Sequence, residues 1–207
     1  MGLSGCPFIY LALIWSGLPE SVPIHWDAEG NIDDWGPKIT LLLIPILLPL
    51  LTYAVFLIVP TIDPKKKIKN MGGKFYQLRF WMTLFMSVLA LYILYSSKEQ
   101  AAAPPDILFI LLGLLFVVMG NYFKTIRPNY FLGIRSPWTL ENEQIWRKTH
   151  SFAGTLWLVG GMVIVLTGLL LSGSLMMVVF VTVTLIIGLV PYVYSYLQFK
   201  QKQITDS

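Results

Sequence analysis

The stretch PKITLLLIPILLPLLTYAVFLIVP, residues 37 to 60, leaves the chain little choice of solvent. Its only charge is Lys38 at the edge, and it exceeds the ~20 apolar residues that a helix needs to cross the hydrocarbon of a bilayer. Residues 75–95, 106–123, 151–171 and 175–197 read the same way. Of 207 residues, 56% are hydrophobic and only 13% charged, against the roughly 25% charged fraction of ordinary soluble domains. The fold class that follows is an all-α integral membrane protein. A single cysteine, Cys6, excludes an intrachain disulfide framework.

Residues 2–18 form a shorter apolar segment. It lacks the basic start and small-x-small cleavage site of a signal peptide, so it is expected to be a short first crossing, bringing the count to about six. Pro45 and Pro49 predict a kink in the second helix, with their unmatched carbonyls served by neighbours. Arg79, in the first turns of the third helix, is placed to extend its guanidinium to the interface. Ser172-Gly173-Ser174 is so short a link that the last two helices must form an antiparallel pair. Two units are expected: residues 1–60, two helices with the loop between them, and residues 61–207, a four-helix unit.

The basic residues set an orientation. Of the 15 Lys and Arg, all but Lys38 and Lys98 fall on one side of a six-helix layout, in the loops containing Lys65–Lys74 and Lys124–Lys148, at Arg79 and in the tail. The other side collects Glu20, Asp27, Glu29, Asp33, Asp34, Glu99 and Asp106. The basic side is predicted to be cytoplasmic, with both termini, and the membrane to be a plasma membrane. Leaving the first segment uninserted does not move these loops.

The segment VPIHWDAEGNIDDWGPK, residues 22–38, therefore faces outward. Val22 to Trp26 alternates like an extended strand, and Asp27-Ala28-Glu29-Gly30-Asn31 supplies turn residues. Trp26 and Trp35 are expected to straddle the turn. Two readings of them stand side by side: interfacial belt aromatics anchoring helix ends, or a recognition surface for something outside the cell. One histidine, His25, among flexible carboxylates is a poor zinc signature, and the spacing is not that of a calcium-binding EF-hand loop.

On the inner side, PNYFLGIRSPWTLENEQIWRKTH, residues 128–150, has a turn at Gly133 and a helix beginning at Ser136-Pro137 or with Thr139 as N-cap. Glu141 and Glu143 suit the positive end of the helix dipole. Trp138, Ile145 and Trp146 are expected to form the apolar stripe of an interfacial amphipathic helix, with Arg147 and Lys148 toward lipid phosphates. A docking site for a cytoplasmic protein is the competing reading.

No ionisable residue falls in the middle of a predicted helix, which disfavours a proton-relay transporter. His25 and His150 lie on opposite faces, so no acid–base pair of histidines forms, and an enzyme is disfavoured. Snorkelling or capping accounts for Arg79, Asp106, Lys124 and His150. Gly113, Gly120, Gly160, Gly161 and Gly168 suit close helix packing. A small permease or exporter of hydrophobic peptides or amphiphiles remains an alternative to a binding protein.

LPESVPIHWDAEGNIDDWGPK resembles the LPxxIPxHWnxxGxxdxxgsK segment that follows the first helix in the SdpI family of membrane immunity proteins. NYFLGIRSPWTLENEQIWRKTH resembles that family's NxxxGIRTPWTLxxexvWxxTH, and the two come in the family's order and spacing. Matching positions are Pro23, His25, Trp26, Gly30 and Lys38 in the first, and Asn129, Gly133, Arg135, Pro137, Trp138, Thr139, Leu140, Trp146 and His150 in the second. Ser136 stands where threonine is common. The resemblance implies a six-helix, non-enzymatic immunity protein, without cofactor or metal, that gives resistance to a secreted SdpC-type peptide toxin. It also implies a possible second partner, a winged-helix transcriptional repressor drawn to the inner face, and no direct nucleic-acid contact. On this reading Pro23, His25, Trp26, Gly30 and Trp35 are toxin contacts. Asn129, Gly133, Arg135, Pro137, Trp138, Thr139, Trp146 and His150 organise the inner segment or dock the partner.

Overall fold

The computed structural model describes residues 2–27, 29–63, 67–100, 105–171 and 173–206; Ala28, Lys65, Lys66, Pro104 and Ser172 lie outside them. The helices are α1 (Gly2–Ile14), α2 (Lys38–Ile62), α3 (Gly73–Glu99), α4 (Pro105–Phe123), a short α5 (Pro137–Glu141), α6 (Glu143–Gly168) and α7 (Gly173–Asp206). Between α1 and α2, strands β1 (Ser21–Trp26) and β2 (Ile32–Pro37) pair antiparallel. Among the described residues five helices, α2, α3, α4, α6 and α7, are long and apolar enough to cross a bilayer. The 13 residues of α1 extend only about 20 Å. Its C-terminal end packs with the hairpin, and near its start the Leu3 carbonyl accepts a hydrogen bond from Ser87, midway along α3.

Two prolines of the membrane helices, Pro49 and Pro191, are accommodated by different devices. In α2 the backbone widens into a π turn over Ile46–Leu50, the stretch where Pro49 has no N–H to give. In α7, Pro191 leaves the carbonyl of Ile187 without its helical donor, and the indole Nε1 of Trp157 on α6 donates to it at 2.9 Å. A transmembrane helix tolerates proline when a neighbour re-satisfies the freed carbonyl.

α4 and α6 approach through paired glycines. A Cβ on Gly120 would stand 2.5 Å from the backbone N of Leu158, and one on Gly161 would stand 2.6 Å from the carbonyl of Gly113. Small residues replace the hydrophobic drive that lipid does not supply by letting the backbones touch.

Two buried clusters mark opposite ends of the bundle. Leu11, Leu18, Val22 and Leu41 gather around Leu94 near the end of α3, whereas Ile68, Met71, Phe123, Ile126, Trp146 and Ala153 gather around Phe75 near its start. Nineteen helical residues between Phe75 and Leu94 amount to about 28 Å, close to the hydrocarbon thickness of a bilayer. The two polar motifs therefore sit at opposite membrane faces.

Candidate functional site

At the hairpin face, Asp27 builds the turn that the sequence announces. Its Oδ1 accepts from the backbone N–H of Glu29 (3.0 Å) and of Asn31 (2.8 Å), and Asn31 Nδ2 donates to Oδ2 at 3.2 Å. Gly30, at φ +85°, makes the reversal that side chains disfavour. These bonds, chiefly the one from the Asn31 amide, hold the Asp27 carboxyl below its usual pKa. The hairpin is fastened from below: Ser97 Oγ on α3 donates to the Pro23 carbonyl at 3.0 Å, Val22 is fully buried, and Lys38 pairs with Glu20 at 2.9 Å while lying 5.6 Å from the Trp15 ring.

The candidate outer residues do not form one surface. His25, bonded through Nδ1 to Asp33 at 2.6 Å, and Trp26 roof a cavity of about 310 Å³ with Asp27. Ile24 of β1, Ile44 of α2, Leu89, Tyr92, Ile93 and Ser96 of α3 and Leu108 of α4 line the remainder. Pro23 and Gly30 are buried supports. Trp35 lies across from Pro23, is 47% exposed and does not line the cavity, so it does not share a site with Trp26 across the turn. A register shift on either side of His25 breaks the simple alternation that suggested the pairing. The membrane half of the cavity was not singled out from the sequence. Its signal was the i, i+3, i+4, i+7 stripe Leu89, Tyr92, Ile93, Ser96, in which a tyrosine and a serine interrupt an apolar helix face. A further, apolar cavity of about 150 Å³ lies between α3 and α4, with Trp81, Phe85 and Val88 on one side and Leu111, Leu115 and Val118 on the other.

At the opposite face the second motif is a latch. Asn129, buried, accepts from the N–H groups of Phe131 (2.8 Å) and Leu132 (2.6 Å) and donates to the carbonyls of Arg127 and Leu132. Gly133 has φ +99° and presses against His150, where any Cβ would collide with Nε2. His150 Nε2 accepts from the Ile134 N–H at 2.9 Å, which leaves the ring proton on Nδ1 to donate to the Trp146 carbonyl at 2.8 Å. The imidazole stacks on Trp146, ring centroids 4.0 Å apart, and Trp146 Nε1 donates to the Ile126 carbonyl at 2.8 Å. His150 is thus a buried structural group, not a snorkelling or capping one.

The expected single amphipathic helix is divided in two. Ser136, not Thr139, caps α5: its hydroxyl accepts from the Thr139 N–H while Thr139 Oγ1 accepts from the Ser136 N–H, a reciprocal capping box with Pro137 in the first turn. Asn142 then interrupts the helix and caps α6 by accepting from Gln144 and Ile145 N–H. Trp138 and Trp146 consequently belong to different helices and point to different partners. Trp138 Nε1 donates to Ser195 of α7 at 2.6 Å and packs among Tyr192, Tyr196 and Phe199, while Trp146 is fully buried. Arg147 pairs with Glu143 and Lys148 donates to Gln198. Around the turn of the latch, Arg135, whose Nη1 donates to the Tyr130 carbonyl, Pro137 and Tyr130 are exposed.

Five spanning helices with polar motifs fastened at the two faces define a polytopic helical membrane protein. The SdpI/YfhL protein family matches residues 125–195, which contain the latch, and a domain of unknown function, DUF1648, matches residues 2–48, which contain the hairpin. Immunity protein SdpI of Bacillus subtilis (strain 168) is 23% identical over 194 residues, covering 94% of this chain and 91% of that protein. The chain is thus similar to the SdpI family in both of its polar motifs and along most of its length. No solved structure matches it.

Proposed function

We propose that this protein is a non-enzymatic membrane immunity protein that meets a secreted peptide toxin through the hairpin and the groove beneath it. The observation that carries this reading is the cavity roofed by His25 and Trp26 and walled by α2, α3 and α4. A membrane-active peptide would present an apolar body to the bilayer, and here a polar roof is continuous with an apolar slot at the depth such a body reaches. The carboxylates around the roof, Asp27, Glu29, Asp33 and Asp34, suit a peptide carrying positive charge near its outer end. Lys38 and Lys98, the basic residues on that side, are each paired with a glutamate.

In the orientation favoured by the basic loops, the hairpin faces outward and the latch faces the cytoplasm of a prokaryotic cell, with both termini inside. A cytoplasmic partner, such as the winged-helix repressor implied by the family resemblance, would meet Tyr130, Arg135 and Pro137, which are exposed around the turn of the latch. The remaining latch residues act by holding that surface in shape.

The test is survival of a toxin-sensitive bacterium expressing the chain and challenged with an SdpC-type peptide. His25→Ala and Trp26→Ala are expected to weaken protection at unchanged membrane abundance, while Trp35→Ala leaves protection intact. Loss of abundance in the first two variants, or equal protection by all, would refute the toxin-contact role.

A further inference from the structure

Arg79 lies six residues into α3, about 9 Å from the end of the helix that is opposite the hairpin. Its guanidinium is held 5.2 Å from the Tyr53 ring of α2 and 5.1 Å from the Tyr76 ring, and among the described residues none of the ion pairs includes it. One turn deeper, Thr83 is 4% exposed and its hydroxyl has no hydrogen-bond partner among the described residues. Both residues line a cavity of about 280 Å³, together with Tyr53, Phe80 and the start of α1 from Gly2 to Ser4. An arginine that merely snorkels extends its head toward water. This one is flanked by two aromatic rings and lines a cavity together with the buried Thr83 hydroxyl.

We infer that this cavity binds a membrane phospholipid of the leaflet opposite the hairpin, with Arg79 on the phosphate and Thr83 donating to an ester carbonyl of the glycerol. The guanidinium fork matches phosphate oxygens, and among the described residues no carboxylate pairs with its charge. Arg79 and Thr83 lie about 6 and 12 Å deeper along α3 than Phe75, so the lipid is drawn into the cavity, and the step of about 6 Å between them suits that from a lipid phosphate to its ester groups. Phe80 and Leu3 offer an apolar wall where an acyl chain begins. Free phosphate shares the chemistry at Arg79 but would leave the Thr83 hydroxyl unmatched.

Native mass spectrometry of the full chain tests this, with phosphatidylglycerol, diacylglycerol of the same acyl chains, and inorganic phosphate as probes. Wild-type protein is expected to retain phosphatidylglycerol about tenfold better than diacylglycerol, and Arg79→Gln to erase that preference. Thr83→Val, which keeps the side-chain shape, is expected to lower phosphatidylglycerol retention about threefold. Equal retention of the two lipids, or an unchanged preference in Arg79→Gln, would overturn the inference. So would displacement of the lipid by excess inorganic phosphate, which would assign a free-anion site instead. If Arg79→Gln does not fold, Thr83→Val decides: unaltered retention refutes the site.

Discussion

Alanine at Gly133 should be far more damaging than alanine at two other glycines, for reasons that add. Gly133 has φ +99°, and an L side chain in positive-φ backbone costs about 1–2 kcal/mol. Its Cβ would also collide with His150 Nε2, the atom that accepts the Ile134 N–H. Displacing the ring leaves that donor unpaired, at about 1–3 kcal/mol. The sum is about 3 kcal/mol, equivalent to a fall of about 6–12 °C in Tm for a chain of this size. Gly72 has φ +55° but open space around the position of its Cβ, so Gly72→Ala isolates the backbone contribution at about 1–2 kcal/mol. Gly188, in α7 with open space around it, should accept alanine with no loss and a gain of up to about 1 kcal/mol. Thermal unfolding of the three variants in one detergent, followed by size-exclusion fluorescence, reads the order directly. Gly133→Ala and Gly72→Ala melting together would show that His150 and Ile134 do not hold the latch as described.

At the opposite end, Leu89→Trp or Leu108→Trp, which fill the groove beneath the hairpin, are expected to lower protection against the peptide toxin at least as much as Trp26→Ala; survival compared at equal membrane abundance decides it. Ser195→Ala leaves the Trp138 indole N–H without its acceptor and is expected to cost about 1–3 kcal/mol in thermal stability, a penalty absent in the Trp138→Phe background. The Asp27 carboxyl has a folded pKa below its usual value, so its contribution to the turn is complete above the ordinary carboxylate range of about pH 4 and is lost as pH falls through the lower folded value. Hydrogen exchange at the Asn31 amide should therefore be slow and pH-normal at pH 5–7, accelerate only in stronger acid, and lose its protection altogether in Asp27→Ala; protection that survives that substitution contradicts the mechanism. With Cys6 replaced by serine, Glu29→Cys in intact cells is expected to react with a membrane-impermeant maleimide while Arg135→Cys does not, and the reverse pattern would invert the orientation.

Solvent and secondary structure were written locally in this chain. Runs such as residues 37–60 demand lipid, and helices are then nearly obligatory because every backbone group must be satisfied within the membrane. The Asp27–Asn31 turn was equally legible, since Asp, Asn and Gly act on their own backbone within a few residues. The latch and the groove were not legible in this way, because their partners are distant in sequence. Whether Trp138 and Trp146 shared a stripe depended on Ser195 and Ile126 offering acceptors, and on Asn142 ending one helix and starting the next. His150 became structural because Gly133 brought the Ile134 amide to its ring. Trp26 joined Tyr92 and Ser96, and Trp35 did not, because Ser97 and Val22 fix the hairpin on α3 and the register shift at His25 alters which side chains face the membrane. Periodicity and turn chemistry report on neighbours along the chain, whereas a cavity between three helices exists only after those helices have packed.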